Sequence, residues 1–171
     1  MFRINFEHTS LWGNSSHYGY VLSALEDLAW PAENLSRISR ILFELSSLGK
    51  KEGYAGNPFE SLCKIYCLWM PKTKATVEQC FMVLESMAEE FRPFVFRLCR
   101  CLVNYSRQSQ SINGRIMRWR YFGEDVKVVT MDEFLTALTA TVRMLMQNCD
   151  YSNDAIECCL LYKSDAADDR I

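Results

Sequence analysis

Ala24-Leu25-Glu26-Asp27-Leu28-Ala29-Trp30-Pro31 closes one amphipathic stretch and opens the next. Upstream of it, Tyr18, Val21, Leu22, Leu25 and Leu28 recur at steps of three and four between His17 and Ala29, the stripe of a helix with one buried face. Asn14, Ser15 and Ser16 offer N-cap oxygens just before it. Trp30-Pro31 breaks the helix, because the proline ring disfavours α geometry at the preceding residue. Pro31 then suits the first turn of a second helix, where its missing N–H is no loss, and Glu33 complements the dipole of that turn. Leu35, Ile38, Ile41, Leu42, Leu45 and Leu48 continue at helical spacing until Gly49, a residue type that ends helices. The pattern predicts helices near 17–29 and 31–48, joined with almost no loop as a helical hairpin.

The same punctuation continues on both sides. Residues 1–16 show little periodicity and form an irregular N-terminal segment. After a glycine-containing loop, Asn57-Pro58-Phe59-Glu60 reads as a helix start, with Asn57 as cap and Pro58 in the first turn. Leu62, Ile65, Tyr66 and Trp69 carry its apolar face, and Pro71 ends a helix near 58–69. Thr73 begins a fourth helix near 74–90, and Pro93 opens a fifth near 93–103. Asn104 to Gly114 is rich in Ser, Gln and Asn and reads as a loop. A short extended run, Val126–Val129, precedes Thr130-Met131-Asp132-Glu133, a capping box. That box launches a sixth helix near 131–148, carrying Met131, Phe134, Leu135, Leu138, Val142, Leu145 and Met146. The fold expected is all-α: antiparallel helical hairpins over 17–150, in the α-solenoid-like manner of TPR or HEAT arrays.

Composition narrows the classes. A length of 171 residues suits one domain with a sizeable core. A net charge of −2 exerts no global pull toward nucleic acid or anionic membrane. The longest apolar runs fall far short of the ~20 residues that a membrane helix needs, and no secretory signal pattern opens the chain. The expected location is therefore the cytoplasm. The eight cysteines, Cys63, Cys67, Cys80, Cys99, Cys101, Cys149, Cys158 and Cys159, include no C-x-x-C pair. Most lie on apolar helix faces, where a free thiol acts as a small hydrophobe, so they are expected to be reduced. Cys63 and Cys67 are four apart and could share a metal, but no matching Cys/His pair accompanies them. Cys99 and Cys101 point to different sides of a helix. His8 and His17 sit in no recognisable nucleophile motif. No cofactor and no metal are expected.

One segment interleaves cations with an aromatic: Arg115-Ile116-Met117-Arg118-Trp119-Arg120. Arg115, Arg118, Trp119 and Arg120 could grip phosphates and stack a base. The preferred reading is that Trp119 plugs a gap between hairpins while the arginines stay in solvent or pair with acidic helix faces. Arg92, Arg97 and Arg100 read as one solvated helix edge. Trp30, Pro31, Asn57, Pro58, Trp69 and Pro71 are the expected structural anchors, because each aromatic beside a helix-ending proline sets where two helices meet.

Two resemblances follow. Cys159-Leu160-Leu161-Tyr162-Lys163-Ser164-Asp165-Ala166-Ala167-Asp168-Asp169 resembles a translated sequencing-library transposon adapter, which marks 159–171 as a tail to exclude from fold reasoning. The second runs from about Tyr20 to Met146. Ala24, Leu25, Glu26, Leu28, Ala29 and Trp30 open it, followed by Leu35, Arg37, Ile41, Leu42 and Leu45. It continues through Asn57, Pro58, Ser61, Leu62, Trp69, Pro71 and Thr73, then Trp119, Arg120, Val129, Thr130 and Phe134. This set resembles the C-terminal helical region of large prokaryotic STAND-type P-loop NTPases, many of which act in antiviral defence; the arginine that the family carries between Asn and Pro is missing. The resemblance implies a non-enzymatic interaction or sensor module, with ATP chemistry in another part of the polypeptide, since no G-x-x-x-x-G-K-[ST] loop occurs in these residues. Its partner would be a protein or the rest of its own parent chain. Two alternatives stand beside it: a nucleic-acid-binding helical domain and a small cysteine-dependent enzyme.

Overall fold

A computed structural model describes residues 17–48, 57–105 and 128–149. The described residues are all-α: five α-helices and one short 3-10 turn, with no strand among them. Helix α1 is His17–Leu28, the 3-10 turn Ala32–Asn34, α2 Leu35–Ser47, α3 Pro58–Ile65, α4 Val77–Tyr105 and α5 Met131–Asn148. Helix α1 packs on α2 and α3, α2 on α3 and α4, and α4 on α5. The N-terminal segment, the loop at 49–56, His8, Arg115, Arg118, Trp119, Arg120, Val126 and the tail 159–171 lie outside the described residues.

The helix starts follow their capping chemistry. The Phe59 N–H donates to Asn57 Oδ1 at 2.9 Å, with Pro58 in the first helical turn. At α5 both halves of the box form: Glu133 N–H donates to Thr130 Oγ1 at 3.3 Å, and Thr130 N–H to Glu133 Oε2 at 2.9 Å. Replacing Thr130 by alanine is expected to cost about 1 kcal/mol of stability in urea titration. A loss below ~0.3 kcal/mol would show that α5 is held by packing alone.

Two boundaries differ from the sequence expectation. Helix α3 ends at Ile65, four residues short of Trp69, because the chain turns back and the Lys72 N–H takes the Ile65 carbonyl at 3.1 Å. Thr73 does not cap the next helix; it is buried, and Thr76 forms a second box with Gln79 through bonds of 2.9 and 3.3 Å. The expected break before Pro93 does occur: Phe91, at φ −117°, ψ 33°, is non-helical and divides α4 into two helical segments. Proline lacks the N–H for the turn before it and its ring crowds that turn. The bend accompanies a stack of Phe91 on Phe43 of α2, ring centroids 5.5 Å apart.

The buried face of α4 runs Cys80, Leu84, Met87, Phe91, Val95, Leu98 and Leu102, matching the apolar spacing. Two other helices bury only part of their apolar stripes. In α1 the buried positions are Leu22 and Glu26, with Ala29 buried just past its end, while Val21 and Leu28 are exposed. In α5 they are Phe134, Ala137, Thr141 and Met144, while Met131, Leu135 and Met146 face outward. Ala137 and Thr141 are small enough to let α5 approach α4 closely, and Thr141 satisfies its hydroxyl by donating to the Ala137 carbonyl at 2.7 Å. Arg92 adds a clasp between the two helices, donating to the Gln147 carbonyl at 3.1 Å in the last turn of α5, where a cation opposes the helix dipole favourably.

Candidate functional site

The densest polar cluster among the described residues gathers around Glu26, whose side chain is only 8% exposed. Helix α1 places it one turn before Trp30. Ser61 Oγ donates to Glu26 Oε1 at 2.8 Å and Lys64 Nζ to the same oxygen at 3.0 Å, both from α3. Lys72 Nζ, from the turn after α3, donates to Oε2 at 2.7 Å. Burial pushes the Glu26 carboxyl up, but the Lys72 bond and charge, with Ser61 and Lys64, outweigh it and hold the group below its ordinary value of 4.5.

Next to this clamp the Trp30 ring is 2% exposed. The Trp30 carbonyl accepts the Lys74 N–H at 2.8 Å and the Thr73 hydroxyl at 3.5 Å. Lys74 Nζ lies over the Trp30 ring, 5.9 Å from its centroid. Thr73 Oγ1 also accepts from Ala75 N–H at 3.2 Å. Residues 26–30 and 72–74, more than forty positions apart in the chain, thus dock directly on each other, with Ser61 of α3 joining them.

The chemistry open to this cluster is limited. A general base at neutral pH needs a carboxyl raised toward 7, and Glu26 is moved the other way. Ser61 and Lys64 have a spacing seen in serine–lysine hydrolases, but Ser61 is buried and gives its proton bond to the carboxylate. The cluster therefore ties α1, α3 and the 69–75 turn together.

Among the described residues, a cavity of about 40 Å³ lies between Tyr66, Cys67, Cys80, Leu84, Leu102 and Ala137. It has room for a few waters at most and is far below the ~300 Å³ where small-molecule sites begin. The Tyr66 hydroxyl shares a 2.7 Å hydrogen bond with Ser39 Oγ of α2, and burial pushes its pKa above the ordinary range.

The sequence candidates distribute as follows. Trp30, Pro31 and Pro58 are buried and Asn57 caps α3. Trp69, expected on the inner face of a helix, instead lies outside one, 40% exposed, with its ring stacked on Phe134 at 3.8 Å. Pro71 is half-buried. Cys63 and Cys67 face different neighbours: Cys63 meets Cys101 of α4, while Cys67 lines the small cavity. Burial pushes the Cys99 thiol up to about 12. Among the described residues no group of three or more His, Cys, Asp or Glu is gathered in a way that could hold a metal ion. No helix among them is long and apolar enough to cross a membrane. The clamp of Glu26 by two lysines escaped sequence reading; a charged residue inside an otherwise apolar helix stripe was its only trace.

No family model matches the chain, and no curated protein and no solved structure is significantly similar to it.

Proposed function

We propose that this chain is a non-enzymatic protein-interaction module, the sensor part of a larger cytosolic prokaryotic NTPase of the STAND type. The observation that carries the proposal is an outward apolar shelf around the stacked Trp69–Phe134 pair. Met70 adjoins Trp69, and Met131 and Leu135, 59% and 50% exposed, lie one turn apart on α5 beside Phe134. Val128 precedes them, also exposed. Exposed apolar residues clustered in this way mark contact surfaces more often than scattered ones do. Asp132 and Glu78 are also exposed, and their chain neighbours Glu133 and Val77 line one cavity with Val129, which brings those two acidic positions to the same end of the molecule.

The occupant that fits is an amphipathic helix from the adjoining part of the parent chain, with apolar anchors flanked by Lys or Arg. The resemblance supports the wider reading: its residues Glu26, Trp30, Ser61 and Thr73 all serve the internal clamp, which leaves the outward positions to recognise a partner. Preferential contact with one state of the parent would shift it between resting and active forms. The test is to read the genomic sequence that adjoins this gene segment and co-express the NTPase module found there. Comigration in size-exclusion chromatography, weakened at least ~10-fold by Met131→Asp with Leu135→Asp, is the expected result, a loss of about 1.4 kcal/mol or more. Genomic sequence with no NTPase module, or comigration unaffected by the substitutions, would overturn the proposal.

A further inference from the structure

Cys63 of α3 and Cys101 of α4 are 38 positions apart in the chain, yet the Cys63 Sγ–H points at Cys101 Sγ with the sulfurs 3.1 Å apart. A disulfide needs about 2.05 Å, so roughly one ångström of side-chain movement separates this contact from a bond. Cys63 is buried and Cys101 is half-buried, which leaves the second sulfur within reach of a small oxidant. We propose that Cys63 and Cys101 form a reversible redox pair whose disulfide staples α3 to α4.

The surroundings favour this division of roles. The Cys63 thiol donates to Cys101, and this bond, together with the Arg97 charge, holds Cys101 below the ordinary thiol range despite its partial burial and the opposing charge of Glu60. The same bond, with burial, pushes Cys63 above that range. Arg97 sits one helical turn before Cys101, and its guanidinium carbon stands 4.4 Å from the centroid of the Phe59 ring on α3, so it is held at the junction of the two helices. A thiol made more acidic near a cation, with a second thiol in contact behind it, is the arrangement of attacking and resolving cysteines.

The oxidant class is a hydroperoxide, with hydrogen peroxide as the simplest member. Cys101 thiolate attacks one peroxide oxygen; an S–O bond forms, the O–O bond breaks, and the departing hydroxide takes up from solvent the proton that Cys101 had released. Cys63 Sγ then attacks the Cys101 sulfenic sulfur. The S–S bond forms, the S–O bond breaks, and the leaving hydroxide departs as water with the proton of Cys63. In sum two thiols lose two electrons and one peroxide becomes two waters. A dithiol reductant reverses the bond by exchange.

The test uses the full chain treated with hydrogen peroxide, quenched by alkylation, digested with trypsin and mapped without reduction. The expected product links the peptide ending at Lys64 to the peptide beginning at Cys101. With it the melting temperature should rise by roughly 10 °C, as closing a loop of this length constrains the unfolded chain, and dithiothreitol should return it to the starting value. Cys101→Ser, at the half-buried position, should abolish both the link and the shift. Because the mapping is done on the unsubstituted chain, a poorly folding variant does not decide the outcome. Linkage of Cys63 or Cys101 to another cysteine in preference to each other would overturn the proposal, as would accumulation of unresolved Cys101 sulfenic or sulfinic acid, or no link at all.

Discussion

Trp30→Ala is expected to destabilise the protein by about 3–5 kcal/mol, the range for removing a large buried aromatic and leaving a partly collapsed hole. The indole is 2% exposed and lies where α1 ends and the 72–75 turn docks through the Trp30 carbonyl. Truncation would remove the apolar surface under that turn and the Lys74 contact over the ring. Trp69→Ala provides the contrast within the same molecule. It is 40% exposed, and its ring stacks on Phe134, an interaction worth about 0.5–1.5 kcal/mol beyond its area. Urea unfolding of both variants checks this: losses of similar size, or a larger loss at Trp69, would contradict the placement of the two tryptophans.

The second large effect concerns the carboxylate clamp and depends on pH. Glu26 is held below its ordinary value of 4.5, so its contribution to stability is fully present above that value and is lost as the pH falls through the lower folded-state value. Lys72→Met removes the strongest of the influences that lower it and leaves a buried carboxylate with Ser61 and Lys64 alone. Breaking a buried pair on one side costs about 3–5 kcal/mol when the remaining charge is stranded. Lys64 stays bonded to Glu26, which places the expected loss at pH 7 nearer ~2–3 kcal/mol. Without Lys72 the Glu26 carboxylate is stabilised less, so the variant has less of this contribution to lose on acidification. The stability gap between the two proteins should therefore close as the pH falls through 4.5 and below, where Glu26 becomes protonated in both. Adding Glu26→Gln to Lys72→Met should recover part of the loss at pH 7, the signature of coupling in a double-mutant cycle. A gap that stays constant with pH would mean that Lys72 acts through packing.

The helices themselves were readable because their signals are local. Asn57-Pro58, the Thr130–Glu133 box and the apolar spacing of α4 each depend on residues within a turn or two of one another, and each formed as spaced. What the periodicity could not convey is rotation. A stripe of large apolar residues such as Met131 and Leu135 announces a helix but does not say which neighbour it meets. Ala137 and Thr141 won the buried face of α5 because close approach to α4 rewards small side chains. Glu26 won a buried place in α1 because three donors, two of them cationic, converge on it. Those donors come from positions 35 to 46 residues further along the chain, beyond the reach of any local pattern.

The amino-acid order alone determined that this chain builds helices, and where most of them begin, since capping and proline sterics act within a few bonds. Only the tertiary structure decided that Glu26 meets Lys72, that Trp30 is sealed while Trp69 remains half in solvent, and that Cys63 faces Cys101. These are encounters between distant segments, set by which packing of the whole buries the most apolar surface while satisfying the charges it encloses.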